Sequence, residues 1–156
     1  PLTDMVVEPN IIPPPFSPDL RQRIGYATAQ LVAMRLRLEA SGARVPGKVV
    51  RAETARAYAE LTERWSDFRH DPSLANLEAL EDCACSLAQL YQILGIRDGE
   101  PRVKGLHKLC DLLERASDRD GELDDVPGLL RQVTTKANEL CRPTVAEHRQ
   151  WVVSVL

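Results

Sequence analysis

Leu77, Leu80, Ala84, Leu87, Tyr91 and Leu94 recur at intervals of 3, 4, 3, 4 and 3 residues, and Leu20, Ile24, Ala27, Leu31, Met34 and Leu38 at intervals of 4, 3, 4, 3 and 4. Each set falls on one face of an α-helix, whereas a β-strand would scatter it over both faces because its side chains alternate with period two. An apolar stripe of this kind is stable only against another, so the two helices call for packed partners. The expected fold is all-α, an antiparallel bundle of five to six helices.

The breaks between periodic stretches support that count. Ser17, Pro18 and Asp19 form an N-terminal signal for a first helix, with a cap, a preset φ and an anion at the positive end of the helix dipole. A second helix is expected from Lys48 to His70, with Tyr58, Trp65 and Phe68 forming the densest part of the core. Asp71-Pro72-Ser73 reads as a stop and a restart, with Asp71 as cap, and the third helix runs from Ser73 to Leu94 with Leu74, Cys83 and Leu90 widening its stripe. Gly95 closes it. Pro101 opens a fourth helix carrying Val103, Leu106, Cys110 and Leu113. Pro127 opens a fifth, with Val126, Leu130, Val133, Ala137 and Leu140 inward. Thr144-x-x-Glu147 is a capping box for a last helix, whose inward residues are Val145, His148, Val152 and Val155.

The first eighteen residues are different in kind. They hold six of the eleven prolines and no glycine, which suits neither a helix nor a central strand. Residues 1–17 are expected to form an extended proline-rich arm and residues 18–156 the helical bundle. With 44% hydrophobic and 28% charged residues in 156, one globular core is expected, and disordered, collagenous and disulfide-scaffold classes are excluded. No apolar run reaches membrane-spanning length and no signal peptide opens the chain, so a soluble cytoplasmic protein is expected. Charge is segmented, at +4 over residues 19–69 and −7 over residues 70–128, as two helical layers with complementary rims would show.

Cys83, Cys85, Cys110 and Cys141 are spread through helical patterns and are expected as free thiols. Cys83 and Cys85 point about 200° apart on a helix and so do not share a metal ion, and His107 and Cys110 share a face that belongs to an apolar stripe. Asp118-x-Asp120-Gly121 puts glycine fourth where a calcium loop needs it sixth. No metal and no cofactor is expected.

Glycine-rich phosphate loops, nucleophile elbows and paired metal-binding helices are missing from the sequence. One spacing does carry chemistry. Arg64-x5-His70, Arg102-x4-His107 and Arg142-x5-His148 each resemble the R-x4-6-H motif of the helical HEPN ribonucleases. That resemblance would imply a histidine as general base on a ribose hydroxyl and an arginine on the phosphate. Sixteen arginines in the chain make such spacings frequent without shared ancestry, and no second HEPN feature accompanies them.

The favoured expectation is therefore a non-catalytic helical protein–protein interaction module: a scaffold, adaptor or regulatory subunit, bound to a protein partner or self-associating into an oligomer. Its partner-binding residues are expected to be Ile11, Ile12, Pro14 and Phe16 of the arm, with Arg21, Arg35 and Arg37 flanking the first seam. A helical ribonuclease of HEPN-like type, or a nucleic-acid-binding module using Arg35, Arg37, Arg44, Lys48, Arg51 and Arg56, is the alternative.

Overall fold

The computed structural model describes residues 47–118 and 126–156. The proline-rich arm, the first helical seam and the acidic stretch 119–125 lie outside the described residues. Five helices are present and no strand occurs among the described residues: α1 (Gly47–His70), α2 (Leu74–Leu94), α3 (Pro101–Ser117), α4 (Pro127–Cys141) and α5 (Val145–Val155). Among these, no helix is long and apolar enough to cross a membrane.

The first four helices pack each on the next. α1 lies on α2, α2 on α3 and α3 on α4, while α4 and α5 both return to α1. α2 is the central member. Leu77, Leu80, Ala84, Leu87, Leu90 and Tyr91 are all buried along it, so the seam expected from the sequence is the seam that packs. Leu61, Trp65 and Phe68 of α1 and Leu106, Leu109 and Leu113 of α3 enclose it. Leu74 does not join the stripe. It is the first residue of α2 and stands half exposed, since the helix begins there and no neighbouring element reaches past its end.

The caps explain the helix limits. Ser73, not Asp71, caps α2: its backbone is extended at φ −112° and ψ 160°, and its side chain accepts a bond from the Asn76 amide. Asp71 still takes part, because its carbonyl receives the Asn76 side-chain amide. Pro72 therefore sits before the cap, where its fixed φ costs nothing. Gly95 ends α2 at φ +82°, a left-handed conformation that an L side chain adopts only at a cost, and its amide returns to the Gln92 carbonyl. At α5 the capping box is complete: the Thr144 hydroxyl accepts from the Glu147 amide, and the Glu147 carboxylate accepts from the Thr144 amide. Those bonds hold the Glu147 carboxyl below its ordinary pKa.

α3 buries more than the spacing predicts. Leu109, Leu112 and Ala116 join Val103, Leu106 and Leu113, because α3 is covered by α2 on one side and α4 on the other. Cys110 falls at the edge of that wide stripe. α4 approaches α3 closely at Gly105, where an added Cβ would meet the Leu140 side chain at 3.3 Å.

Substituting Gly95→Ala is expected to lower unfolding free energy by about 1 kcal/mol through the left-handed cap. Thr144→Ala is expected to cost a similar ~1 kcal/mol through the capping box. Urea unfolding of the two variants checks both, and a neutral Gly95→Ala would contradict the assigned cap conformation.

Candidate functional site

Polar chemistry gathers where α5 meets the rest of the bundle. His148, one turn into α5, is 1% exposed, and its ring lies on Tyr58 of α1 with centroids 3.9 Å apart and planes 3° from parallel. Its Nε2 is 2.6 Å from the hydroxyl of Tyr91 on α2. Trp151, one turn further along α5, sets its ring edgewise to Tyr91 at 5.3 Å and carries the Arg102 guanidinium of α3 over its face at 5.0 Å. Four helices thus meet at one histidine. The Tyr58 hydroxyl completes the corner by donating toward the carbonyls of Pro143, at 2.6 Å, and Leu140, at 3.0 Å, where α4 turns into α5.

The electrostatics follow from this burial. Loss of water around His148 disfavours its charged form, and the Arg102 guanidinium adds repulsion, so its pKa is pushed down to about 4. Burial pushes both tyrosine hydroxyls above their ordinary range, which keeps them protonated. The ring is neutral at pH 7, and the short contact to Tyr91 is a bond between two uncharged groups. Nδ1 of His148 and Nη1 of Arg102 are buried with no hydrogen-bond partner among the described residues.

Arg102, His148, Tyr58 and Tyr91 line a cavity of about 10 Å³, room for one water molecule. A nucleotide does not fit. The His148 ring is enclosed by the side chains around this space.

The three arginine–histidine spacings do not form three sites. Arg64 is ion-paired with Asp67 at 2.7 Å, while exposed His70 turns its Nδ1 to the Ser66 carbonyl at 2.8 Å. Arg102 stacks on Trp151, whereas His107 of the same helix is exposed. Arg142 is exposed and His148 is buried. Among the described residues, the arginine that perturbs His148 is Arg102, which belongs to a different pair, through a contact that no short spacing encodes.

Of the expected partner-binding residues, Ile11, Ile12, Pro14, Phe16, Arg21, Arg35 and Arg37 all lie outside the described residues, as does Arg44 of the basic region. Of the rest of that region, Lys48 and Arg51 are exposed, and Arg56 is bonded to Glu53 at 2.6 Å and Glu60 at 3.4 Å. A second basic feature was not anticipated. Lys108 of α3 and Arg131 and Lys136 of α4, with Gln132 and Thr135, line an open cleft of about 330 Å³. Lys108 and Arg131 are far apart in sequence, so only the α3–α4 packing reveals the cleft.

The cysteines are free thiols. Cys83 faces Glu60 and Arg64 of α1, whereas Cys85 lies near Cys110 of α3, so the two diverge as their spacing requires. No three His, Cys, Asp or Glu side chains converge on a possible metal position among the described residues. Compared with protein-family models, with curated proteins and with solved structures, the chain matches none.

Folding stability should fall in acid through His148. Below about pH 6.5 the unfolded chain takes up a proton that the folded ring refuses until about pH 4. The contribution is therefore fully present above pH 6.5, declines as pH drops, and is lost below 4. The total is about 3 kcal/mol. In a His148→Gln chain the slope of unfolding free energy against pH in this window should diminish by one proton, and an unchanged slope would show that His148 titrates normally.

Proposed function

We propose that this chain is a non-catalytic helical interaction module, a scaffold or regulatory subunit, that binds another protein surface or a second copy of itself. The observation that carries this reading is the direction in which its side chains are spent. The histidine, tyrosines and arginine able to do chemistry are committed to holding α5 on the bundle, around a cavity the size of one water. Large apolar side chains meanwhile stand outside: Val49 is 46% exposed, Val153 60% and Leu156 56%.

These three residues lie at one end. His148 stacks on the middle of α1, and further along α5 Val152 and Val153 share a cavity wall with Arg51 and Ala55, so α5 runs back toward the start of α1. Val49, Val153 and Leu156 thus gather where α1 begins and α5 stops. The segment carrying Ile11, Ile12, Pro14, Phe16, Arg21, Arg35 and Arg37 precedes Gly47, the first residue of α1, in the chain. A contact surface made of that segment and these exposed residues suits a protein partner, with apolar groups for burial and arginines for orientation. The proposed setting is the cytoplasm.

The basic cleft between α3 and α4 favours a second reading, in which the module binds a polyanion such as RNA through Lys108, Arg131 and Lys136. The two readings part in solution. Sedimentation of the full chain over a range of concentrations should show masses above the 17.4 kDa of one chain, and Val153→Asp with Leu156→Asp should reduce that association without loss of helical circular dichroism. A chain that stays monomeric and binds single-stranded RNA with a steep salt dependence, lost in Lys108→Glu and Arg131→Glu, would move the assignment to the second reading. Histidine-dependent cleavage of that RNA would contradict both.

A further inference from the structure

We propose that the cleft between α3 and α4 seats a phosphorylated serine or threonine of a partner protein, an inference that rests on reading the chain as an interaction module. Gly105, Lys108 and Leu112 follow at intervals of three and four along one face of α3, and Gly128, Arg131 and Thr135 do the same along α4. Where these faces meet at Gly105, the helices are in contact. A Cβ there would stand 3.3 Å from Leu140 and 3.8 Å from the Lys136 stem. Toward the start of α4 they part, leaving the open space of about 330 Å³ with buried Leu112 as its apolar floor.

The charges around this space are unequal in what they can offer. Lys136 donates to the Glu139 carboxylate at 3.0 Å, so its charge is already met. Lys108 and Arg131 have no ion pair among the described residues, and both are exposed. Arg131 also folds back along α4, its Nη2 3.8 Å from where a Cβ on Gly128 would stand. This sets a guanidinium against the positive end of its own helix dipole, at a turn whose cap, Val126, supplies no side-chain bond. An anion in the cleft would relieve that juxtaposition and meet Lys108 across it.

Two cations left free match one phosphomonoester, which carries a charge of about −1.5 to −2 at neutral pH. The guanidinium fork can take two phosphate oxygens and the lysine ammonium the third, with the Gln132 amide beside them. RNA fits the same cleft less well. Its binding draws on many phosphate contacts and on bases stacked upon aromatic rings, whereas the cleft is lined by no aromatic residue and the chain carries a net −3. A free small molecule is also a poorer match, because such ligands are ordinarily enclosed on most sides and this cleft is open. A phosphorylated side chain needs only its phosphate held, the remainder of the partner lying across the two helices.

Fluorescence anisotropy of labelled peptide pools on the full chain tests this site. Peptides degenerate around a central phosphoserine or phosphothreonine should bind at least about tenfold more tightly than the unphosphorylated pool. Lys108→Gln and Arg131→Gln should each weaken that binding about tenfold, and Lys108→Glu with Arg131→Glu should abolish it with helical circular dichroism unchanged. Lys136→Gln should change it by less than about threefold, since that charge is already paired. Val153→Asp with Leu156→Asp should leave it intact, so that failure of self-association and failure of the cleft are read separately. Four results would each overturn the inference: equal binding of the unphosphorylated pool, inorganic phosphate bound as tightly as the phosphopeptides, oligouridylate bound in preference to them, or phosphopeptide binding that survives Lys108→Glu with Arg131→Glu.

Discussion

The burial of α2 is the constraint from which the rest of the structure follows. Leu77, Leu80, Leu87 and Leu90 are closed off by α1 on one side and α3 on the other, so a helix with few charges becomes the axis of the described bundle. Removing a leucine of this kind to alanine ordinarily costs 2–5 kcal/mol, a large part of a domain's net stability. Each neighbouring helix is fixed by how it covers that axis. α3 must bury Leu106, Leu109 and Leu113 against it, and α3 in turn offers the surface on which α4 lies through Val133 and Ala137.

α5 is held differently. It is short, and only His148 and Val152 are fully buried along it. Its attachment relies on a stacked tyrosine, a hydrogen bond between neutral groups and the Tyr58 hydroxyl at the α4–α5 corner. Burying such groups is favourable only while they are paired, which makes the contact specific in geometry and sensitive to the protonation of one ring. Arg102 over Trp151 adds a cation on an aromatic face rather than an ion pair, and its charge works against protonating His148.

Much of this architecture is legible in the sequence because it depends on local signals. The period of α2, the capping box at Thr144 and the glycine at 95 each act within one or two helical turns. The cap of α2 was harder, since Asp71 and Ser73 are both suitable residues and the choice rests on where Pro72 can sit. Leu109 and Leu112 escape a single-stripe reading because α3 is covered on two sides, which only tertiary packing shows. His148 could be placed inward from its spacing with Val145 and Val152, but its partners Tyr58, Tyr91 and Arg102 come from three other helices and no spacing predicts them. The Lys108–Arg131 cleft was hidden for the same reason. The arginine–histidine spacings show the reverse case, a local pattern that the fold does not assemble.

The central claim is that His148, with Tyr58, Tyr91 and Arg102 around it, serves to hold α5 on the bundle. Nuclear magnetic resonance titration of the His148 ring in the full chain tests it directly. The account predicts a ring that stays neutral until about pH 4, with Tyr91→Phe changing its ring-nitrogen shifts and an upfield shift of its carbon-bound protons from stacking on Tyr58. A His148 that titrates near 6.5, exchanges freely with solvent and ignores Tyr91→Phe would contradict it.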